Sequence, residues 1–145
     1  MWHSSPVGLY DIQDPNQADM NLRGKFTTDS AGRFSFRSVK PSGYPIPVTG
    51  PTGELLRAQG RHNMRPAHLH FLIFKPGYKT LISQIYVNDD PYLESDVQFG
   101  VTQATVGNYV RHTEPATDVQ GEWYSLDPSF VMEKGDARLP KPPVK

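Results

Sequence analysis

The chain has 145 residues, and a soluble domain of that length buries roughly 70% of its unfolded surface, so one ordinary core is expected. Fifteen Lys plus Arg balance fifteen Asp plus Glu, which removes the electrostatic footprint of a nucleic-acid or polyanion binder. Cysteine is absent, so disulfide scaffolds, iron–sulfur clusters, thiolate zinc sites and cysteine nucleophiles are excluded, and any metal must take N and O donors.

No apolar run approaches the ~20 residues of a membrane span, and no basic-then-apolar leader opens the chain, so the expected address is cytoplasmic, away from membranes. Fourteen prolines, about twice the usual ~5%, predict short connections and few long helices. In chain order, residues 21–28 alternate loosely, run into the turn cluster Asp29-Ser30-Ala31-Gly32, and are followed by the strict alternation of residues 33–37. These two arms read as a hairpin. Prolines and glycines crowd residues 41–51, and residues 53–60 are the one stretch that looks helical, short and closed by Gly60. Residues 68–74 and 80–87 are two apolar, β-rich runs separated by Lys75-Pro76-Gly77-Tyr78-Lys79, the clearest strand pair in the chain. A late strand is expected over residues 123–126 or 130–132, and residues 139–145 read as an extended tail. The whole predicts an all-β fold, an antiparallel β-sandwich with long loops and one short helix, occupying residues 1–138 as a single domain without repeats.

Side chains on a strand alternate, so His68 and His70 share a face while Leu69 and Phe71 take the other. Two imidazoles so placed can converge on one metal, or they are half-buried histidines satisfied by backbone and water. Arg65 stands where the chain enters that strand, and Gln84 lies on the neighbouring one, within reach of the same cavity. A fixed cation and an amide beside a metal make sense where charge develops on a bound substrate; without the histidines they read as surface residues. No Glu follows His70 within twenty residues, so further ligands must come from elsewhere. Tyr44, within Pro41-Ser42-Gly43-Tyr44-Pro45-Ile46-Pro47, and Tyr10, after the turn Pro6-Val7-Gly8-Leu9, are phenols on restricted backbone that could aim inward, although a tyrosine beside a turn is more often a rim residue. A free phenol ionises near pH ~10, so a tyrosinate at neutral pH needs a strong Lewis acid such as ferric iron.

The chain resembles the intradiol ring-cleaving dioxygenases, which open catechol, chlorocatechol and hydroxyquinol rings. The resemblance rests on Trp2-His3, Gly8-Leu9-Tyr10-Asp11, Asn21-Leu22-Arg23-Gly24, Thr28-Asp29, Gly32-Arg33-Phe34, the Pro41–Pro47 segment, Gly50-Pro51-Thr52-Gly53, Gly60-Arg61-His62, Arg65-Pro66-Ala67-His68-Leu69-His70-Phe71, Pro76-Gly77-Tyr78, Gln84 and Asp90-Pro91-Tyr92-Leu93. It is dense from Trp2 to about Val101 and thins afterwards. It implies that Tyr10, Tyr44, His68 and His70 ligate one non-haem Fe(III), with a solvent hydroxide as the fifth ligand, and that Tyr44 is the phenolate that leaves when substrate arrives. It also implies that Arg65 and Gln84 line the substrate side, and that an aromatic diol reacts with O2 between its two oxygenated carbons to give a cis,cis-muconate or maleylacetate-type product. Ile46, Val97 and Gln98 lie near the substrate-lining segments, and Gln98 is polar enough to bond an extra ring hydroxyl or else to face solvent. The segments around Tyr10 and residues 90–101 are similar to the hydroxyquinol branch, whereas Pro41-Ser42-Gly43-Tyr44 is similar to the catechol branch. His3 and His62 match no ligand position and read as structural hydrogen-bonding residues.

Relative to that family the chain lacks the N-terminal helical linker and first strands, so part of the pocket wall and the usual dimer surface are expected to be missing. A bare sheet edge at Trp2 would then favour a homo-oligomer through a different interface. The main rival to an enzyme is a non-catalytic iron-binding scaffold that keeps the ligands without a complete pocket. A zinc or copper hydrolase built on His68 and His70 and a metal-free binding module follow.

Overall fold

The structure is a computed structural model, and residues 1–138 are described. The expected tail, residues 139–145, lies outside the described residues. Among the described residues, three small sheets, one helix and two short 3-10 turns make the fold all-β in character. The central sheet has four strands in the order β1 (Trp2–His3), β4 (His68–Ile73), β5 (Leu81–Val87) and β6 (Val106–Gly107). Two-stranded sheets are formed by β2 (Tyr44–Pro45) with β3 (Met64–Arg65), and by β7 (Val110–His112) with β8 (Trp123–Ser125).

The expected pair is β4–β5, antiparallel from His68 opposite Tyr86 to Ile73 opposite Leu81. Its odd-numbered residues Leu69, Phe71 and Ile85 form the buried core, and Phe34, Phe36, Tyr109, Leu126 and Phe130 pack against them. Phe71 meets Phe130 with ring centroids 4.8 Å apart and Phe34 at 6.2 Å. The even-numbered residues His68, His70, Gln84 and Tyr86 therefore take the opposite face.

Three expectations are corrected. Residues 21–28 and 33–37 do not form a ladder. The turn between them exists, with the Asp29 and Gly32 amides donating to Arg33 O (2.9 Å) and Asp29 O (3.0 Å), but the first arm pairs elsewhere. Gly24 N–H donates to Met1 O and the Met1 ammonium donates to Gly24 O, both at 2.9 Å, while Arg23 bridges Trp2. The backbone groups a hairpin would need are already bonded to the N-terminus, and Phe26 and Phe36 instead stack at 4.9 Å. For the same reason the edge at Trp2 is not bare, because Leu22–Gly24 flanks it. The central sheet is also not wholly antiparallel, since β5 and β6 run parallel. Of the two late segments, residues 123–125 form a strand, while Phe130 serves as a core side chain outside any strand.

Helix α1 (Pro51–Ala58) begins two residues before the expected start, because Pro51 occupies the first turn, where its missing N–H costs nothing. Its last residue is Ala58, Gln59 caps it, and Gly60 follows with φ 62°, the left-handed position that terminates helices.

Truncation of the central core ring reports on this packing. Phe71→Ala should lower the unfolding free energy by about 3–5 kcal/mol, with the urea midpoint shifted and the slope retained. A loss below about 1 kcal/mol would show that the aromatic layer does not carry the core.

Candidate metal centre

Two turns and two strands bring the polar face of the sheet to one point. Tyr10 is delivered by the Ser5–Leu9 turn, closed by Gly8 N–H to Ser5 O (2.9 Å) and Ser5 N–H to Leu9 O (2.8 Å). Gly8 has φ 80°, and a Cβ there would sit 3.0 Å from Gly43 O, so a glycine lets the Tyr10 turn nest against the Tyr44 strand. Asp11 then accepts from Arg23 Nε (3.0 and 2.9 Å) and Nη2 (2.7 Å), fastening the next residue to the sheet edge. Tyr44 lies directly opposite Arg65 in the β2–β3 pair, and three residues later His68 opens β4. The Asp90 carboxylate accepts from Ala67 N–H at 2.9 Å and steadies that connection.

The four donor side chains expected from the sequence come together. His68 Nδ1 donates to Pro66 O at 2.7 Å, which leaves Nε2 with the bare lone pair. That nitrogen is 3.0 Å from His70 Nε2 and 3.4 Å from Tyr44 Oη. Tyr10 packs edge-on against Tyr44 (5.2 Å between centroids) and tilts toward His70 (6.4 Å). Its buried hydroxyl has no hydrogen-bond partner, although the Tyr44 hydroxyl is near enough to influence its ionisation. Trp2 stacks on His70 at 4.7 Å and 7°.

Electrostatics favour neutral donors here. Burial pushes His68 down to about 4 and His70 down to about 3, the second lowered further by His68 and Arg65. Burial, reinforced by Tyr44, raises the Tyr10 phenol above its ordinary value. At neutral pH both imidazoles thus present lone pairs, whereas Tyr10 needs a cation to ionise. Among the described residues no group of three or more His, Cys, Asp or Glu is arranged for a metal. The centre is instead mixed, two imidazoles and two phenols. An orphaned buried phenol oxygen beside two facing imidazole nitrogens fits a hard, strongly acidic cation better than zinc or copper.

Arg65, 5% exposed, borders the donors on one side. Its Nη1 lies 3.2 Å from His68 Nε2 and 3.5 Å from Tyr44 Oη, while its other edge meets Asp96 and Tyr86. Gln84 stands opposite His70 in the β4–β5 register. Val97 is buried, Ile46 half-buried and Gln98 exposed. Val97 O accepts from Arg61 Nη2 (2.8 Å), and Ile46 exchanges backbone and side-chain bonds with Asn63. Two surface hollows, of about 330 and 450 Å³, are lined by Lys40 to Asp90 segments and by Met1 with Phe26, and none of the four donors lines either. His3 is buried between Ser4 O and Ser38 Oγ, and His62 meets Ser95 Oγ, as hydrogen-bonding residues outside the centre. Sequence reasoning assigned no role to Trp2, Tyr86 or Asp96. Tyr86 carried a signal, sharing strand parity with Gln84, but Asp96 reaches Arg65 across thirty-one positions and had none.

A family model described as Dioxygenase matches residues 1–130. The hydroxyquinol 1,2-dioxygenase of Rhizobium sp. (strain MTP-10005) is 43% identical over 141 residues, covering 92% of this chain and 48% of that protein. The crystal structure of hydroxyquinol 1,2-dioxygenase from Pseudomonas putida DLL-E4 superposes with a TM-score of 0.81 at 42% identity, over 92% of this chain and 49% of that one. Catechol 1,2-dioxygenase from Pseudomonas arvilla C-1 gives 0.85 at 36% identity, over 92% and 45%. The chain belongs to the intradiol ring-cleaving dioxygenases. It spans about half the length of the curated relatives it matches.

The depressed imidazoles make the metal-free protein acid-sensitive. Unfolded histidine titrates near 6.5 and folded His68 near 4, so between those values the unfolded chain binds more protons and stability falls as pH is lowered. Urea midpoints of metal-free protein should decline from pH 6.5 to 4, and less steeply in the His68→Gln, His70→Gln double variant. Equal slopes would contradict buried neutral imidazoles.

Proposed function

We propose that residues 1–138 form the domain of a cytoplasmic, Fe(III)-dependent intradiol dioxygenase that cleaves a catechol-type ring with O2 to a cis,cis-muconate or maleylacetate-type product. The carrying observation is the convergence of His68, His70, Tyr44 and the unpartnered Tyr10 hydroxyl on one side of a sheet. In this reading the central sheet and the aromatic layer over its core face belong to a mainly antiparallel sandwich, as the likeness to intradiol enzymes supports.

Tyr10, Tyr44, His68 and His70 would hold the iron, which when bound supplies the Lewis acidity to keep phenols ionised, bind both diol oxygens and activate the ring toward O2. Tyr44 would accept a diol proton on Oη, which stands 3.4 Å from His68 Nε2 and 3.5 Å from Arg65 Nη1. Arg65 is always charged, and burial strengthens its field. Its Nη1 faces the Tyr44–His68 side, where negative charge on a bound diol would collect, and one preorganised donor of that kind contributes about 3 kcal/mol to a transition state. Gln84 would direct its amide toward the same face, opposite His70. Ile46 and Val97 would supply apolar wall, excluding water from the ring, and exposed Gln98 would bond a third ring hydroxyl. That last contact, with the hydroxyquinol enzymes among the relatives, favours hydroxyquinol over catechol.

A second reading, an iron-binding domain without turnover, is favoured by one observation: neither surface hollow is lined by the four donors.

Iron-loaded protein given catechol or hydroxyquinol in air should consume oxygen and accumulate ring-opened product, faster with hydroxyquinol. A coloured protein with no oxygen uptake would support the second reading. Tyr10→Phe should weaken the tyrosinate-to-iron absorption and abolish turnover, and an unchanged spectrum would contradict its role as ligand. Arg65→Leu should lower kcat by about 10²–10³ in steady-state assays while the absorption band persists.

A further inference from the structure

Arg65 is a buried cation beside the proposed centre, and its value there depends on which edge of the guanidinium faces the donors. The side chain is 6% exposed, so solvent cannot orient it. Its Nε donates to Asp96 Oδ1 (3.2 Å), and Nη2 donates to Tyr86 Oη (2.7 Å) and more weakly to Asp96 Oδ2 (3.4 Å). That leaves Nη1 for the Tyr44 and His68 side. A flat fork held along one edge cannot rotate the other away.

Asp96 is held no less firmly than Arg65. Its side chain is 1% exposed, Oδ2 accepts from Gly100 N–H at 2.8 Å, and Oδ1 accepts from Gln98 N–H at 3.3 Å. The carboxylate thus binds the guanidinium on one side and the backbone of residues 96–100 on the other. This loop carries Val97 and Gln98, and bends sharply enough that Phe99 has φ 53°, with its amide bonded to Asp96 O at 2.9 Å. It lies so near the pair that a Cβ on Gly100 would stand 2.6 Å from Tyr86 Oη and 3.2 Å from both Arg65 Nη2 and Asp96 Oδ2.

Magnitudes identify the stronger anchor. Leaving a buried guanidinium without its carboxylate costs several times more than losing a neutral hydrogen bond. Asp96, rather than Tyr86, therefore dominates the orientation. We propose that Asp96 is a positioning residue of the site, fixing the Arg65 guanidinium with Nη1 toward the Tyr44–His68 donors and fixing the Val97–Gln98 segment in the same register. The proposal rests on the dioxygenase reading for its catalytic consequence, although the geometric claim stands without it.

The test uses the full chain with three substitutions: Asp96→Asn, which keeps the shape and removes the charge; Gly100→Ala, which keeps the charge and displaces the pair; and Tyr86→Phe, which removes the weaker anchor. In metal-free protein, the Arg65 Nε–H proton should exchange slowly in nitrogen-15 NMR and lose protection at least tenfold in Asp96→Asn, with Tyr86→Phe close to the parent. In iron-loaded protein, Asp96→Asn should move the tyrosinate-to-iron band to longer wavelength, because the Tyr44 oxygen loses a hydrogen-bond donor and gives up electron density more readily. Its kcat should fall 10- to 100-fold with KM changed less than threefold, and Gly100→Ala should show the same pattern at smaller size. A purely structural Asp96 would lower Tm yet leave band and kcat at parental values below that Tm; this result, or an unchanged Arg65 signal, overturns the proposal. If Asp96→Asn does not fold, Gly100→Ala decides: unchanged Arg65 protection, band and kcat overturn the proposal. If the parent binds iron but turns over no diol, the dioxygenase reading fails while the Arg65 signal and the band still decide on Asp96. If it binds no iron, the Arg65 signal decides alone.

Discussion

The β4–β5 register is the constraint from which the rest of this molecule follows. His68 opposite Tyr86 and His70 opposite Gln84 put four polar side chains on one face, while Leu69, Phe71 and Ile85 form the core on the other. A slip of one residue would exchange the two sets, burying imidazoles among phenylalanines. The hydrophobic gain from three large core side chains, about 1.5–3 kcal/mol each, is what holds the register. The geometry of the candidate site is therefore a by-product of core packing, which explains how a face rich in polar groups is kept in order by residues on the opposite face of the sheet.

That polar face is built almost entirely from groups that are neutral when buried. Histidine and tyrosine lose far less on desolvation than carboxylates would, so four ligand-type side chains can gather without mutual repulsion. The buried charges nearest the histidines are a matched pair, Arg65 with Asp96. Burial alone would raise the Asp96 carboxyl, but the guanidinium and the Gly100 and Gln98 amides outweigh it and hold it below the usual range. The candidate site thus combines neutral nitrogen and oxygen donors with a buried guanidinium whose Nη1 is turned toward them, and on the proposed reading that charge would stabilise anionic oxygens of a bound diol.

The N-terminal region contributes through attachment more than through regular structure. Trp2 supplies one residue of a two-residue strand and the stacking surface for His70, while Leu22–Gly24 closes the sheet edge and Arg23 grips Asp11. Tyr10 is held between these points on a turn with little secondary structure of its own. Small packed turns of this kind fix a side chain because both of their ends are tied down.

Local pattern in the amino-acid sequence was enough to determine the β4 and β5 strands, the shared face of His68 and His70, the helix closed by Gly60, and the composition that restricts ligands to nitrogen and oxygen. Period-two alternation and glycine conformation are properties of a few neighbouring residues, so they survive translation into three dimensions. Motif resemblance added Tyr10 and Tyr44 as partners of the histidines, although their spacing alone did not show that they meet. Only the tertiary structure decided that residues 21–28 leave their hairpin partner for Met1, that β6 joins in parallel, and that Arg65 is gripped by Asp96 and Tyr86. Each of those outcomes is a competition between contacts distant in the chain, settled by which backbone groups and buried charges remain to be satisfied once the core has closed.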